Sequence, residues 1–221
     1  MAKADSRKLD DLRTRAIMKR FGIPFVKQVL AKNEEEAVRH AKEMGYPVVL
    51  KVSSPDIIHK TEFGGVVLDI GNEEELRDAY RRMMRNVRKK RPKAKLDGVI
   101  VQEMVSKDSR EMIIGGRRDL QFGPVIMFGL GGVWVEALKD VSFRLVPISR
   151  KDAGEMINEI RGYSILGSFR GQKPVNVKLL ENILMNVSRL IWKNRRIQEL
   201  DINPLFINDK RAIAVDARIV V

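Results

Sequence analysis

The sequence contains no cysteine and only two histidines among its 221 residues. The absence of cysteine excludes disulfides, thiolate metal sites and cysteine nucleophiles, and two histidines leave little for a zinc site. Any chemistry that this chain performs must therefore use carboxylates, lysine, arginine or a single histidine.

Long apolar runs are also absent. No stretch approaches the roughly eighteen residues that cross a bilayer, and residues 1–8 lack the apolar core of a signal peptide. We therefore expect a cytoplasmic protein that has no membrane partner. The fractions of hydrophobic (44%) and charged (32%) residues are typical of a soluble globular protein with surface ion-pair networks. The length allows one large domain or two lobes.

Aromatic residues are few (6%), whereas positive charge is in excess, with 42 basic and 29 acidic residues and a net charge of +13. This balance is compatible with binding to nucleic acid, to an acidic membrane, or to polyanionic substrates and an acidic partner protein. Nine basic residues and no acidic one lie between Arg81 and Lys95. Such a run is typical of the solvated C-terminal end of a helix.

The stretch from residue 199 to residue 216 has the strongest local pattern. Polar residues at 199, 201 and 203 alternate with Leu200 and Ile202, which predicts a half-buried strand with its oxygen-bearing side chains on one face. A second apolar run, 212–215, follows closely enough for a tight hairpin.

The hairpin predicts which residues face each other. A two-residue turn at Asp209 and Lys210 places Asn203 opposite Asp216, with Cβ atoms about 4.5–5.5 Å apart. An amide oxygen and a carboxylate at this distance can hold one hard cation such as Mg²⁺. The same register sets Asp201 opposite Arg218 as a supporting ion pair. The alternative is an acidic, solvated hairpin face without a metal.

The remaining sequence alternates helices and strands. The N-terminal half has βαβ-like spacing without a dinucleotide-binding glycine motif, and it includes a predicted helix over 73–90. The C-terminal half has predicted strands over 110–115, 125–128 and 141–148, a helix capped by Ser149, and a helix with Pro174 in its first turn. A boundary falls near residues 102–105, and the N-terminal helix is expected to pack on the C-terminal half.

Several stretches together resemble the ATP-grasp superfamily, and in particular the β-subunit of ADP-forming acyl-CoA synthetases, relatives of succinyl-CoA synthetase. They follow the family order over nearly the whole chain. The matching stretches are FGIP at 21–24, GYPVVLK at 45–51, HKTEFGG at 59–65, QEMV at 102–105, GGVWVE at 131–136 and the hairpin at 199–216.

The resemblance implies an α+β ATP-grasp fold whose two lobes clamp ATP with Mg²⁺. The N-terminal lobe would cover 20–103, and the C-terminal lobe would cover 1–19 and 104–221. It also implies that Lys51 contacts the nucleotide phosphates, and that Glu103 and the Val105 backbone receive the adenine. The alternatives are that Lys51 is an ordinary surface lysine and that residues 102–105 are an ordinary strand end.

The resemblance assigns further residues to the nucleotide site. Asn203 and Asp216 match the Mg²⁺ ligands, in agreement with the hairpin register, and Glu199 and Asp201 are possible accessory ligands. Glu111, Gly131 and Gly132 are assigned to cofactor binding, and glycines let backbone amides approach phosphate oxygens. The alternative for Gly131 and Gly132 is that they form an ordinary glycine turn.

Two residues carry the predicted chemistry. His59 would take the phosphoryl group from a phosphohistidine of the partner α-subunit and pass it to ADP, because an imidazole can accept a phosphoryl group near neutral pH. Glu62 stands where the family more often has Asp, which loosens this match. Arg170, in a glycine- and arginine-rich loop, would add charge for phosphoryl transfer. A structural histidine and an ordinary loop are the alternatives.

The predicted function is that of the nucleotide-binding β-chain in acyl-CoA + ADP + phosphate ⇌ acid + ATP + CoA. The α-subunit would carry the CoA site and the first phosphohistidine in an α2β2 assembly. One alternative is a self-sufficient ATP-grasp carboxylate ligase. A remote alternative is a nucleic-acid-binding module that uses residues 81–95, which would lose affinity steeply with salt.

Overall fold

The computed structural model describes residues 7–57, 60–132, 139–168 and 171–221. These residues form two compact units: unit 1 contains the chain up to Phe25 and from Ser106 onward, and unit 2 contains Val26–Val105. The sequence predicted divisions after residues 19 and 103, and the structure divides the chain after residues 25 and 105. Within the described residues, no helix is long and apolar enough to cross a membrane.

The regular elements follow in chain order. The helices are α1 (Asp11–Arg20), α2 (Glu34–Met44), α3 (Glu73–Lys90), α4 (Arg150–Glu159) and α5 (Val177–Lys193). The strands are β1 (Gln28–Ala31), β2 (Val48–Ser53), β3 (Val66–Ile70), β4 (Gly98–Glu103), β5 (Arg110–Asp119), β6 (Gly123–Leu130), β7 (Val141–Leu145), β8 (Glu199–Ile207), β9 (Ala212–Ala214) and β10 (Ala217–Val220). Short 3₁₀ turns cover Lys60–Phe63 and Arg161–Leu166.

Unit 2 is a four-stranded sheet in the order β1-β4-β2-β3, and all of its neighbouring strands are antiparallel. β1 and β2 run in the same direction with β4 between them, and β3 and β4 run in the same direction with β2 between them. The predicted βαβ-like spacing therefore corresponds to two interleaved split βαβ units, not to adjacent parallel strands.

Helices α2 and α3 cover one face of this sheet. Asn33 and Asn72 cap them by accepting hydrogen bonds from the backbone N–H groups three residues later, each at 2.9 Å. The helices bury apolar stripes at helical spacing, which are Ala37, Val38 and Ala41 on α2 and Leu76, Ala79, Met83 and Val87 on α3. Gly45 ends α2 with φ 87°, where a side chain would be strained.

An ion-pair network joins these two helices on their exposed side. The guanidinium of Arg77 donates to the carboxylates of Glu34, Glu35 and Glu73, and Arg81 also donates to Glu34. The three carboxylates raise the pKa of Arg77. The pKa of Glu34 is lowered chiefly by Arg81, that of Glu35 chiefly by Arg77, and that of Glu73 chiefly by Lys42 and then by Arg77. This is the kind of surface network that the charged composition predicted.

Unit 1 is built on a second antiparallel sheet in the order β10-β8-β5-β6-β7, with β9 paired to β8. Its core is formed by α1, α4 and α5 packed on one face, with Met18, Ile23, Met156 and Leu184 among the fully buried residues. The prediction that the N-terminal helix packs on the C-terminal half is confirmed.

Some predicted element limits were wrong. β5 extends to Asp119, and β6 begins at Gly123, because the two strands form one long hairpin. Pro174 does not lie in the first turn of α5, since Asn176 is the N-cap and accepts from Leu179 N at 3.4 Å. The cap at Ser149 was predicted correctly and forms a capping box with Asp152.

Candidate functional site

The register predicted for the C-terminal hairpin is confirmed. β8 pairs Leu205 with Ala214, and it pairs Asp201 with Arg218 across the break between β9 and β10. At that break the N–H of Asn203 donates to the carbonyl of Asp216 at 3.2 Å. Asn203 on β8 and Asp216 in the break between β9 and β10 therefore lie opposite each other, and both are exposed.

A β-bulge on the other side of β8 fixes the direction of the Asn203 side chain. Ile114 pairs with Ile202 and Met112 with Leu205, so two residues of β8, Asn203 and Pro204, stand opposite one residue of β5. Pro204 has no N–H to donate to the sheet, which suits it to this position. Because the bulge shifts the alternation, Ile202 and Leu205 are both buried while Asn203 faces solvent.

The two side chains offer a partial coordination shell. Neither the Asn203 amide nor the Asp216 carboxylate forms a hydrogen bond or an ion pair within the described part of the chain. No group of three or more His, Asp or Glu residues in the described ranges could form a protein cage for a metal. One amide oxygen and one carboxylate suit Mg²⁺, which usually keeps waters and takes phosphate oxygens as further ligands.

The charges around Asp216 favour a cation at this face. Burial raises the pKa of Asp201, and the negative charges of Asp216 and Glu199 raise it further, while Arg218 lowers it. The predicted partners Asp201 and Arg218 are opposite in register, but the ion pair of Arg218 is with Glu199, at 3.2 Å. The hairpin therefore places an excess of acidic groups on the face that Asn203 shares.

Arg15 on α1 is a basic neighbour that the sequence did not identify. Burial lowers the pKa of its guanidinium, and the charges of Asp11 and Asp216 raise it. The guanidinium also lies over the ring of Phe25, 4.6 Å from its centre. Its sequence signal was weak, because Arg15 belongs to a helix with several exposed basic residues.

Glu111, Gly131 and Gly132 form a second cluster in unit 1. Gly131 N donates to the Glu111 carbonyl at 2.8 Å, and Gly132 N donates to the Glu111 carboxylate. Burial raises the pKa of Glu111, and the Gly132 bond lowers it in part. The sequence predicted that these glycine amides contact phosphate, whereas in the structure both of them bind Glu111.

Glycine is required at both positions of this cluster. A Cβ at Gly131 would lie 2.7 Å from Glu111 Cγ, and Gly132 has φ 63°. The two glycines therefore let the Glu111 side chain lie flat against the backbone of the turn that follows β6. Glu111 lies on the sheet face opposite the core, as does Asn203, since its neighbour Met112 faces the core together with Leu205.

The loop that leads toward Arg170 is also tied to β5. Arg110, almost fully buried, donates to the carbonyls of Ile165 at 3.1 Å and Gly167 at 3.0 Å. Asp140 accepts from Arg161 N and Gly162 N, each at 2.7 Å, at the start of the 3₁₀ turn. Arg170 itself lies outside the described residues, so its predicted role stays a prediction.

The candidate nucleotide residues of unit 2 lie on β2 and at the end of β4. Lys51 pairs with Ile100 on β4, on the sheet face opposite α2 and α3, and is half-buried. Glu103 ends β4, and its carboxylate accepts from Lys27 N at 3.3 Å. Val105 forms no backbone hydrogen bond among the described residues, so its N–H and carbonyl can pair with a base.

Gln102 was not assigned a role from the sequence, and it is the most unusual polar residue of this region. Its side chain is almost fully buried, and its Oε1 has no hydrogen-bond partner in the described part of the chain. Gln102 pairs with Val49, two residues from Lys51, so it lies on the same sheet face as that lysine. A buried amide oxygen without a partner costs folding free energy.

His59 lies outside the described residues, and its predicted role as the phosphoryl carrier is not tested by the structure. The residues on both sides of it are described. The 3₁₀ turn Lys60–Phe63 begins immediately after it and is followed by Gly64 and Gly65. Gly65 N donates to Lys60 O at 2.8 Å, which closes the turn in front of β3.

The chain was compared with known proteins. The profile of the ATP-grasp domain matches residues 1–221. The chain is 51% identical over 219 residues to subunit beta of the ADP-forming acetate–CoA ligase I of Pyrococcus furiosus, which covers 99% of this chain and 94% of that subunit.

Two solved structures of Ca. Korarchaeum cryptofilum dinucleotide forming acetyl-coenzyme A synthetase 1 are also similar. One is in complex with coenzyme A, Ca-AMPCP and HgCl+; it is 43% identical with a TM-score of 0.90, and the match covers 98% of this chain and 93% of that chain. The other contains coenzyme A and Mg-AMPPCP, with a phosphohistidine segment pointing towards the nucleotide binding site; it is 40% identical with a TM-score of 0.83, over 97% of this chain and 92% of that chain.

Proposed function

The chain belongs to the ATP-grasp domain family, and we propose that it is the nucleotide-binding β-subunit of an ADP-forming acetate–CoA ligase. The reaction is acyl-CoA + ADP + phosphate ⇌ acid + ATP + CoA. The observation that carries this proposal is the 51% identity to the Pyrococcus furiosus subunit, which extends over 94% of that subunit. A match of this length includes both units of the chain.

Asn203 and Asp216 would hold Mg²⁺ through their side-chain oxygens. Bound there, Mg²⁺ would neutralise charge on the nucleotide phosphates. The backbone hydrogen bond between Asn203 and Asp216 and the bulge at Asn203 and Pro204 support this assignment, because they bring the two residues opposite each other with both exposed. Asn203 and Asp216 would supply only part of the Mg²⁺ coordination shell, so the nucleotide and water would supply the other ligands.

Lys51 would contact the phosphates as a point charge, and the chain end of β4 would receive the adenine. The backbone N–H and carbonyl of Val105, which have no backbone partner among the described residues, support an adenine contact, since adenine offers one acceptor and one donor on its pairing edge. The Glu103 carboxylate already accepts from Lys27 N, which would orient it for the nucleotide.

Glu111 would bind the nucleotide from unit 1. Its carboxylate accepts one N–H from Gly132 and keeps acceptor capacity for a ribose or amino group. In this role Gly131 and Gly132 act through Glu111 and not by contacting phosphate themselves.

His59 would carry the phosphoryl group in two steps. In the first step the N–P bond of the partner's phosphohistidine breaks as a ring nitrogen of His59 forms a new N–P bond. In the second step that bond breaks as a terminal phosphate oxygen of ADP forms the O–P bond of ATP. Arg170 would stabilise the charge on the transferred phosphoryl group.

The partner would be an α-subunit, because the Pyrococcus furiosus relative is itself named as subunit beta. We propose that the α-subunit supplies the CoA site and the first phosphohistidine, in an α2β2 assembly. The Korarchaeum structures, which contain coenzyme A and a phosphohistidine segment, support this division of labour. A cytoplasmic location remains a prediction.

The proposal is tested with the chain purified together with its partner. Acetyl-CoA, ADP, phosphate and Mg²⁺ should yield ATP, and the chain alone should bind ADP without producing ATP. A complex that contains the partner but makes no ATP from a panel of acyl-CoA substrates would refute the proposal. ATP production from a carboxylate by the isolated chain would instead favour the self-sufficient ligase.

A further inference from the structure

Several large apolar side chains are exposed at one end of the unit 1 sheet. Of the nine large hydrophobic residues that are exposed in the described ranges, four belong to the β5–β6 hairpin and to β7: Leu120, Phe122, Phe143 and Leu145. β7 is the last strand on this side of the sheet. None of the four has a part in the function proposed above.

Phe143 and Leu145 lie on the sheet face opposite the helices of unit 1. The residues that alternate with them point toward α4: Ser142 Oγ donates to a backbone carbonyl of that helix at 2.8 Å, and Arg144 donates to one of its carboxylates at 2.8 Å. Successive side chains of a strand point to opposite faces of the sheet. Phe143 and Leu145 therefore face away from α4, and they are 54% and 58% exposed.

β6 extends this apolar surface toward the middle of the sheet. Val125 pairs with Leu145 and Met127 pairs with Phe143, so the four side chains form two opposed pairs on one face. The Met127 side chain also lies over β5, since a Cβ at Gly115 would be 3.1 Å from its Cε. We call Val125, Met127, Phe143 and Leu145 the apolar face.

The turn between β5 and β6 adds two exposed apolar residues. Leu120 is fully exposed and Phe122 is 67% exposed. The turn is held by Asp119, whose carboxylate accepts from Gln121 N at 2.8 Å and from Phe122 N at 3.0 Å. A turn that is already ordered loses less conformational entropy when it binds a partner.

The exposed apolar area is large enough for a protein interface. A large apolar side chain has about 150–250 Å² of surface, so the four exposed residues together present on the order of 500 Å². One partner contributes about 800 Å² to an interface of standard size, and more than half of the interface surface is apolar. The apolar face and the turn beside it could therefore supply most of the apolar part of one such interface.

The apolar face is continuous with the candidate nucleotide residues of unit 1. Glu111 and Asn203 lie on this same face of the same sheet, and Met127 is four residues, roughly 13 Å of strand, from Gly131 beside Glu111. In the function proposed above, the α-subunit must approach the nucleotide that these residues bind. That subunit would therefore cover neighbouring surface, a requirement that does not apply to a second copy of this chain.

We propose that the α-subunit docks on the apolar face and on the turn at Leu120 and Phe122, through an apolar surface of its own. The inference rests on the function proposed above, which requires that subunit. Arg117 is exposed and pairs with Val125 at the border of the apolar face. Its positive charge favours an acidic residue at the rim of the partner's surface.

The experiment measures the affinity of the full chain for its α-subunit by calorimetry. Phe143→Thr combined with Leu145→Thr should weaken this affinity by at least about thirtyfold, because two apolar side chains are no longer buried on binding. Threonine is suited to a strand, so the sheet should be retained. The affinity for ADP with Mg²⁺ should stay within about twofold of wild type, since neither residue belongs to the nucleotide site.

A matched control and a second variant accompany this measurement. Leu68, on β3 of unit 2, is 57% exposed, so Leu68→Thr removes the same side chain from an equally exposed strand position and should bind the α-subunit as wild type does. Leu120→Ser combined with Phe122→Ser changes the turn without altering a strand, and it should weaken the affinity by about tenfold.

Each outcome decides whether this surface binds the α-subunit. Wild-type affinity in both double variants would overturn the inference and leave the proposed function standing, and so would an equal loss in Leu68→Thr. If the strand variant loses thermal stability, the turn variant decides, and its wild-type affinity would overturn the inference. A dimer of the chain alone that the strand variant dissociates, with affinity for the α-subunit intact, would assign the surface to a second copy and overturn it. A wild-type complex that binds normally but makes no ATP would instead refute the proposed function.

Discussion

Asn203 on β8 and Asp216, between β9 and β10, are joined by a hydrogen bond of 3.2 Å between the Asn203 N–H and the Asp216 carbonyl. Their side chains therefore leave the sheet next to each other, and their separation is set by the backbone. Asn203 lies within β8, and Asp216 lies between two short strands that both pair with β8, so the sheet restrains both residues. This geometry leads to the first prediction.

Asp216→Asn should weaken the affinity for ADP measured with Mg²⁺ by at least about tenfold, because outer-shell changes alone cost about 10- to 100-fold in metal affinity. Affinity without Mg²⁺ should change little. Calorimetry with and without Mg²⁺ separates the two effects. Asp209→Asn, in the turn of the same hairpin, is the control and should behave as wild type. Equal losses with and without Mg²⁺ would contradict a metal-ligand role.

The burial of Asp201 should make the stability of the fold depend on pH. Its pKa is raised in the folded state, mainly by burial, so the folded chain binds the proton more tightly than the unfolded chain. The stability that this group contributes is therefore lost as pH rises from the ordinary Asp range through the raised pKa. Asp201→Asn should melt a few degrees above wild type at pH 7, and the difference should vanish near pH 3. Melting curves without Mg²⁺ across this range test the sign.

A side chain at residue 131 should clash with Glu111 and destabilise the fold. Gly131→Ala would place a Cβ 2.7 Å from Glu111 Cγ and 3.1 Å from the Glu111 carbonyl carbon, so it should lower the free energy of unfolding by about 1–3 kcal/mol. Gly154→Ala is the control, because the nearest atom to its Cβ lies at 3.6 Å and the residue is within α4. That change should raise stability by about 0.5–1 kcal/mol. Denaturant unfolding distinguishes the two variants.

Replacing Arg77 should lower the stability of the fold by an amount that depends on salt concentration. Arg77→Ala removes hydrogen bonds to three carboxylates, so it should lower the melting temperature more at low salt than at high salt. Arg77→Lys should recover only part of the loss, since an ammonium lacks the planar fork of the guanidinium. Arg82→Ala, an exposed arginine on the same helix, should leave the melting temperature unchanged. A loss that does not depend on salt would contradict an electrostatic origin.

Replacing the buried amide of Gln102 with an apolar side chain should stabilise the fold. Gln102→Met should raise the free energy of unfolding by about 1 kcal/mol, because it removes a buried oxygen for which the described ranges of the chain provide no hydrogen-bond partner. Gln28→Met, which changes the residue paired with Gln102 across β1 and β4, should have little effect since Gln28 is less buried. A destabilised Gln102→Met protein would show that the amide is satisfied, for example by an internal water.

Local patterns were sufficient to predict some parts of the fold and of the candidate site. The turn at Asp209 and Lys210 fixes the register between Asn203 and Asp216, because a two-residue connection leaves one way to pair the strands. Helix α3 begins and ends where the sequence predicted, at a capping Asn72 and after a basic last turn. In each case the residues that determine the local structure are close to one another in the sequence.

Contacts between distant segments could not be predicted in this way. The bulge at Asn203 and Pro204 depends on the register with β5, about ninety residues earlier in the chain. The binding of Gly132 N to Glu111 and of Lys90 to Glu62 depends on tertiary packing. The run from Arg81 to Lys95 was interpreted as a solvated helix end, and Lys89, Lys90 and Arg91 are indeed exposed there, but the contacts of Lys90 with Glu62 and of Arg91 with Phe63 were not foreseen.

The order in which the two units occur along the chain has a consequence for biosynthesis. Helix α1 is made first, yet it packs with strands of unit 1 that follow unit 2, and Leu9 N bonds to Ile219 O near the end. At a ribosomal speed of about 5–20 residues per second, these strands begin to emerge about 5–20 s after α1. During that interval the sheet of unit 2 can close, while Met18 and Ile23 have no partners. Helix α1 is therefore a transient target for chaperones until these strands emerge.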